Sequence, residues 1–550
     1  MVTSRIVKTK SIELECKNCG WREQYETPIK HCPVCYEDIL YARYDIDYLK
    51  KTGWADDIKR RKPGLWRYHE LLPIKEPDNV ISMGEGGTAM YRARNLGAML
   101  GLKNLYIKDE RQSPTGSFKD RQASVAISVM HEMGIQEAVV ASTGNVAIAY
   151  SAYAARAGIK MWAFFPDLVP GDKVREVALY GTEVVNVTGT YDQTKTIAAR
   201  FAESQGIYYD RGIKSIAAME SMKTMAFEIA EDLDWQSPDW FIQGVSGGMG
   251  PLGLAKGFEE LMALGLVDKI PAIGLVQSEG CKPMIDAFNN GLPVAVPIEN
   301  PDTIIATLST GNPGRAYQLL YEIMSEWGGA AAAATDEEAF EMTKIMARTD
   351  GISVEPATAV AFAGLVHMVR NGDIKSNDVV VFNCSGHTFP VEKRILGEKW
   401  AKELDISDAS SDPVLPTDTL VEAVEKVKSP ISKVLVIEDN ENAARLMERL
   451  LSVNYDVSIA YDGQVGLEMA YNLKPDLIVT DLMMPQVDGF SVIEKLKSDK
   501  TFRDVPIIVL TAKELTVHER ARLSGQVDSL LQKGSFLSEE LLQRIVDALN

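Results

Sequence analysis

Short runs of apolar residues recur along the middle of this chain, each followed by a glycine-rich or polar turn and then a stretch of helical periodicity. Leu105–Lys108, Ala138–Ala141, Met161–Phe165, Phe241–Val245, Ala272–Val276 and Val379–Asn383 are the clearest. Runs that stay apolar instead of alternating predict strands buried on both faces. With helical stretches between them, they predict a parallel sheet covered by helices. In such sheets a ligand sits beyond the carboxyl ends of the strands. The turns after these runs are therefore where chemistry is expected.

The pattern divides the chain into four regions. Residues 1–45 are short, cysteine-paired and β-like, and residues 46–402 carry the βα alternation. Residues 403–432 (ELDISDASSDPVLPTDTLVEAVEKVKSPIS) are rich in Asp, Ser and Pro and read as a linker. Within them, Leu420–Val427 has the pattern of a short amphipathic helix. Residues 433–550 restart a clean βα alternation. No internal repeat is visible, and the alanine run Ala330–Ala334 is expected to be a tight packing site or a turn.

A chain of 550 residues is long enough for several domains, each with its own core. Its 58 Lys and Arg against 77 Asp and Glu leave a formal charge of −19. That balance excludes a general nucleic-acid or acidic-membrane surface. No stretch is long and apolar enough to span a bilayer. The N-terminus, MVTSRIVKTKSIELEC, lacks the apolar core of a secretory signal. A cytoplasmic location with neither nucleic acid nor membrane as partner is expected.

The six cysteines do not make a disulfide framework in a chain of this size. Cys16-Lys-Asn-Cys19 and Cys32-Pro-Val-Cys35 have the spacing of two metal knuckles, on which four thiolates converge tetrahedrally on one zinc. Four protein ligands leave no open position, so the zinc would be structural. His31 is a neighbour of this set, and Cys281 and Cys384 read as buried thiols.

Three turns carry candidate chemistry. Ser113-Pro-Thr-Gly-Ser-Phe-Lys119-Asp-Arg121 presents a lysine after a small-residue turn. Such a lysine forms a Schiff base with an aldehyde cofactor when its site favours the neutral amine. Ser142-Thr-Gly-Asn145 lies between an apolar strand and a helix and suits a carboxylate at a helix N-terminus; a plain N-cap by Ser142 or Thr143 is the competing reading. Gly244-Val-Ser246-Gly-Gly-Met-Gly250 lets backbone N–H groups approach a phosphate. It lacks the G-x-G-x-x-G and acidic residue of a dinucleotide site.

In this order the segments resemble the fold-type II pyridoxal-phosphate enzymes, and threonine synthase in particular. Glu85-Gly-Gly-Thr88, Ser117-Phe-Lys-Asp-Arg, Pro301-Asp-Thr-Ile, Gly311-Asn-Pro, Val354-Glu-Pro-Ala-Thr-Ala and Cys384-Ser-Gly-His all have counterparts there. The resemblance covers roughly residues 12–400, zinc ribbon included. It implies a tryptophan synthase beta-like α/β fold with two open parallel-sheet subdomains. It implies Lys119 as cofactor-bearing lysine and general acid–base, and Asn145 as partner of the ring hydroxyl. Ser246, Gly247, Gly248, Met249 and Gly250 would be the phosphate cup, and Ser385 the neutral partner of the ring nitrogen. Thr88, Ser142, Thr143 and Gly144 would bind a small amino-acid substrate. A homodimer is implied by analogy.

Threonine synthases act on O-phosphohomoserine, and three places that would hold its phosphate depart here. Val146 stands where a Thr follows the Asn, the 246–250 loop lacks its Asn, and Ala218 stands at an Arg position. Arg211 and Lys214 lie nearby, either as compensation or as solvated loop charges. The expected activity is a lyase making threonine and phosphate from O-phosphohomoserine and water. A related elimination or replacement (serine/threonine dehydratase-like or cysteate synthase-like) and a non-catalytic phospho-signalling scaffold stay open.

In the last region Val434-Leu-Val-Ile-Glu438-Asp439, Leu477-Ile-Val-Thr-Asp481, Pro506-Ile-Ile-Val-Leu-Thr511 and Leu531-Gln-Lys533 each end an apolar strand on a polar group. Acidic groups converging at one sheet edge repel one another and invite Mg²⁺. This pattern, with Met484-Pro485 and Asp488-Gly489, resembles the flavodoxin-like receiver domain of two-component response regulators. The resemblance implies Asp481 as phosphoacceptor and a histidine kinase or phosphotransfer partner. It gives Glu438 and Asp439 to the acidic pocket, with Asp439, Asp481 and Met483 around Mg²⁺. Thr511 and Lys533 would contact the phosphate. Leu530 replaces a common aromatic switch residue, and Gly534 a common Pro. No DNA-binding segment follows the last helix, so output is expected to reach the enzyme half, dimerisation or a partner.

Overall fold

The computed structural model describes residues 12–387 apart from 28, residues 402–404, and residues 432–532 apart from 453–454, 512–514, 516–518, 520–521 and 524. Lys533, Gly534 and the Leu420–Val427 segment lie outside the described residues. The described chain forms two units, one made of the residues up to 387 with Glu403 and Leu404, the other of Lys402 and the residues from 432.

The first unit opens on a three-stranded antiparallel ribbon: β1 (Glu13–Glu15), β2 (Arg22–Gln24) and β3 (Tyr41–Arg43), in the order β2-β1-β3. Two sheets follow. The larger contains β4 (Met90–Arg92), β5 (Asn104–Asp109), β10 (Trp240–Gly244), β11 (Ala272–Ser278), β12 (Gly329–Ala334) and β13 (Val379–Cys384). Their order is β12-β11-β10-β13-β5-β4, parallel apart from the β4–β5 pair. The smaller contains β6 (Glu137–Ala141), β7 (Lys160–Pro166), β8 (Glu183–Val187), β9 (Tyr208–Tyr209) and β14 (Lys402–Leu404), in the order β14-β8-β7-β6-β9. These are the two open subdomain sheets of the expected fold. All six apolar runs fall on strands, Val245 alone lying one residue beyond its strand.

The larger sheet is apolar because helices cover both of its faces. Phe241 and Leu275 pack with Phe227 and Phe258 on one side. Ile242, Val276 and Phe382 pack with Val360 and Phe362 on the other. The Ala330–Ala334 run, expected as a tight packing site or a turn, is a packed strand and not a turn. It lies in β12 at the sheet edge, with Ala330, Ala332 and Ala334 buried and Ala331 and Ala333 half-buried. Small side chains with period-two burial satisfy a strand there, because pairing with β11 supplies the hydrogen bonds that local propensity does not favour.

The second unit has five parallel strands: β15 (Lys433–Ile437), β16 (Asp456–Ala460), β17 (Leu477–Thr480), β18 (Ile507–Thr511) and β19 (Ser529–Gln532). Their order, β16-β15-β17-β18-β19, is the flavodoxin-like order.

Candidate functional site

Strand order decides which turns meet. β10, β13 and β5 are neighbours in the larger sheet. Their carboxyl ends lead into the 246–250 loop, Ser385 and the Lys119 turn. The Lys119 turn is sewn to the end of β13: Phe118 N–H donates to Ser385 O at 3.0 Å and His387 N–H to Gly116 O at 2.8 Å. Lys119 is the first residue of the helix Lys119–Glu132, its ammonium 4.2 Å from the centre of the Phe118 ring. Burial pushes this lysine down to about 8, against the opposing pull of the Glu355 carboxylate.

That helix is anchored by a buried charge network. Arg121, wholly inaccessible, forks onto Glu110 at 2.7 and 2.9 Å and onto Glu228 at 2.7 Å through two nitrogens. Lys108 adds a 2.8 Å pair to Glu228. Thr88 belongs to this network as well. Its hydroxyl donates to Glu110 at 2.7 Å and accepts from Arg121 at 3.2 Å.

β6, an inner strand of the smaller sheet, leads into Ser142–Asn145. Ser142 Oγ accepts from Gly144 N–H at 3.0 Å and Ala147 N–H at 3.1 Å, so it satisfies N–H groups at the start of the helix Asn145–Ala157, whose cap residue is Gly144. Gly144 has φ of +135°, and a Cβ there would stand 2.9 Å from Lys173 Cδ. Asn145 Nδ2 donates to both oxygens of Glu355 at 2.8 Å. Lys173 completes the group, 2.7 Å from Asn145 Oδ1 and 3.1 Å from Glu355 Oε2. A Cβ on Gly386 would meet Glu355 Oε1 at 2.5 Å, so this cluster adjoins Ser385. Ser385 itself shares a 2.8 Å hydrogen bond with Thr358.

The 246–250 loop opens the helix Met249–Leu264, so its free N–H groups and dipole favour an anion. A Cβ at Gly247 would meet nothing within 4 Å, which leaves room for a bound group. Ser246 Oγ meets Thr310 Oγ1 at 2.5 Å. Behind the loop, Gln243 Oε1 and both polar atoms of the Asn383 side chain are buried and have no partner among the described residues. A lysine held toward its neutral form, an anion cradle, an amide donor and a neutral hydroxyl together fit an aldehyde cofactor carrying a phosphate.

Glu355, Lys173 and Thr310 had no role assigned from the sequence. Glu355 lies in the Val354-Glu-Pro-Ala-Thr-Ala motif, but Lys173 carries no local signal. Arg211 and Lys214 are not simply solvated loop charges. Both pair with Asp38 of the ribbon, at 2.7 and 2.5 Å. Ala218 is fully buried and Val146 half-buried. Glu220 and Lys223 join a second buried network with Lys256 and Glu260.

In the ribbon the sulfurs of Cys16, Cys19, Cys32 and Cys35 all lie within 4.8 Å of one another. The Cys16–Cys35 and Cys19–Cys32 separations are 3.5 and 3.6 Å. Sulfurs at about 2.3 Å from a tetrahedral zinc stand about 3.8 Å apart, so the set suits that metal. His31 instead lies against the Tyr36 ring, centroids 5.2 Å apart.

In the second unit Glu438, Asp439 and Asp481 bring carboxylate oxygens within 4.8 Å. Glu438 and Asp481 are buried and Asp439 is exposed. Leu482 and Met483 N–H groups hold Asp481 Oδ1 at 2.6 and 3.2 Å. Met483 is exposed, and only its carbonyl oxygen suits a hard cation. Thr511 ends β18 opposite Gln532, the residue before Lys533.

Comparison with known proteins places each unit in a family. Residues 81–386 match the pyridoxal-phosphate dependent enzyme family, and residues 434–546 match the response regulator receiver domain. Threonine synthase from Methanocaldococcus jannaschii is 36% identical over 373 residues, 68% of this chain and 91% of that protein. Threonine synthase from Methanosarcina acetivorans is 34% identical over 403 residues, 73% of this chain and 97% of that protein. No helix among the described residues is long and apolar enough to cross a membrane. With Lys119, the anion cradle and Ser385 at adjacent strand ends, the chain belongs to the threonine synthase family of pyridoxal-phosphate dependent lyases, joined to a response regulator receiver domain.

Proposed function

We propose that the first unit converts O-phosphohomoserine and water to threonine and phosphate, and that phosphorylation of Asp481 modulates its activity or assembly. The observation that carries this reading is the convergence of the Lys119 turn, the Asn145–Glu355 cluster, Ser385 and the 246–250 loop in a chain so similar to threonine synthases. Bound pyridoxal phosphate supplies an electron sink for charge developing beside the substrate's amino group. Lys119 holds the cofactor and moves protons at the neighbouring carbons. Asn145 would exchange a bond to Glu355 for one to the ring hydroxyl, and the Ser246–Gly250 amides would hold the cofactor's phosphate. Ser385, neutral and bonded to Thr358, accompanies the ring nitrogen. Thr143 and the turn around it take the substrate carboxylate, and Lys173 supplies a cation for a dianionic substrate. Threonine and phosphate should form in equal amounts from O-phosphohomoserine. Turnover of another amino acid without that phosphate release rejects the assignment.

Lys119 also sets a pH dependence. Only the neutral amine attacks the cofactor's aldehyde, and burial holds this group at about 8. Cofactor uptake by the stripped protein should therefore quicken up to a pH of about 8 and then level off. An unperturbed lysine would keep quickening toward a pH of about 10.4. The growth of cofactor absorbance across pH checks this, and a rate still climbing at high pH counts against it.

The ribbon's cysteines hold zinc and the receiver's acidic cluster holds Mg²⁺ in this reading. A histidine kinase or phosphotransfer protein supplies the phosphoryl group, and the protein works in the cytoplasm as a homodimer. Asp481→Asn should abolish labelling by a small acyl phosphate in the presence of Mg²⁺. Labelling that persists undiminished would move the acceptor elsewhere.

A further inference from the structure

Two segments flanking the candidate pocket are gripped from outside it, by consecutive residues just after the second cysteine pair. Glu37 accepts from Arg315 Nε at 3.1 Å. Asp38 accepts from Arg211 at 2.7 Å and Lys214 at 2.5 Å. Glu37 is itself part of the knuckle, since its carbonyl accepts from Cys32 N–H at 2.9 Å.

The segment that ends at Arg315 reaches the pocket from the other direction. Thr310 meets Ser246 of the anion cradle. Gly311 and Asn312 N–H groups donate to Asp192 Oδ2 at 3.1 and 3.0 Å, tying the segment to the helix Tyr191–Gln205 of the smaller subdomain. The turn holding Arg211 and Lys214 is equally close to the chemistry. It follows Asp210, whose N–H donates to Val139 O of β6 at 3.0 Å. The Asp210 side chain accepts from Tyr150, on the helix that begins at Asn145.

We propose that Glu37 and Asp38 are positioning residues for the substrate side of the pocket, so that metal occupancy of the ribbon sets substrate affinity. The ribbon does not need these ion pairs to stay attached. Ile39 and Tyr41 lie in the main core, Lys256 donates to Ala42 O at 3.0 Å, and Tyr44 donates to Glu220 at 2.8 Å. Partly exposed pairs contribute little to stability. Their effect here is geometric: one knuckle fixes both segments relative to each other.

The affinity part rests on the proposed threonine synthesis; the positional part does not. The experiment compares wild type, wild type treated with a zinc chelator, Asp38→Asn and Glu37→Gln, all as full-length protein. Amide hydrogen exchange follows residues 210–215 and 310–315. Asp38→Asn should speed exchange in the first segment, Glu37→Gln in the second, and zinc loss in both. In each case the KM for O-phosphohomoserine should rise about threefold or more with kcat and cofactor absorbance nearly unchanged. Unchanged exchange in both variants overturns the proposal whatever the activity. Faster exchange with an unchanged KM also overturns it. A wild type that does not turn over O-phosphohomoserine rejects the threonine synthase reading instead, and exchange then decides the positional claim.

Discussion

Lys119→Ala is expected to lower turnover by about a thousandfold or more and to abolish the absorbance of the lysine-bound cofactor. Proton transfer by a placed side chain contributes about 10²–10⁴-fold, and this variant also loses the covalent attachment. No neighbour replaces the amine. Arg121 is locked between Glu110 and Glu228, and Lys173 is engaged by Asn145 and Glu355. The fold should survive, because the turn is held by backbone bonds from Phe118 and His387. Absorbance and turnover are measured together on protein with unchanged circular dichroism. A cofactor band that persists in the variant would place the attachment on another lysine.

Arg121→Met is expected to destabilise the first unit by about 3–5 kcal/mol, the cost of breaking a buried ion pair from one side. Folded domains hold only about 5–15 kcal/mol in all. The substitution leaves the Glu110 and Glu228 carboxylates buried, with Lys108 and Thr88 to hold them. Arg121 and Lys108 keep Glu228 well below the usual carboxylate range. Its contribution is therefore fully present at neutral pH and is lost progressively as pH falls from the ordinary carboxylate range down through that lowered value. Denaturant unfolding should show a lower midpoint for the first unit's transition and an unchanged one for the receiver's. Lys119 sits two residues away on the same helix, so cofactor binding should weaken as well. A midpoint shift smaller than that of an ordinary surface substitution would remove the network from its anchoring role.

Much of the fold was legible from local pattern. Strands such as Trp240–Gly244 and Val379–Cys384 are largely apolar because helices cover both faces, and that pattern survives without any neighbour being known. The paired cysteines were legible for a similar reason: ligand spacing within each knuckle is set by local chain geometry. The alanine strand was not. Its pairing with β11 comes from a partner more than fifty positions away in sequence, and alanine has little strand preference of its own.

The sequence by itself determined the chemistry on offer: a lysine after a small-residue turn, a phosphate-ready glycine loop, four paired thiols and an acidic strand-end cluster. Those signals are local, so composition and spacing carry them. Only the tertiary structure decided which of these groups meet and which are already engaged. It placed Glu355 and Lys173 on Asn145, drew Thr88 into the Arg121 network, and gave Arg211 and Lys214 to Asp38 of the ribbon. A charged side chain looks the same in sequence whether it faces a substrate or a partner far along the chain. Burial and hydrogen-bond geometry separate the two, and both arise only when distant segments pack.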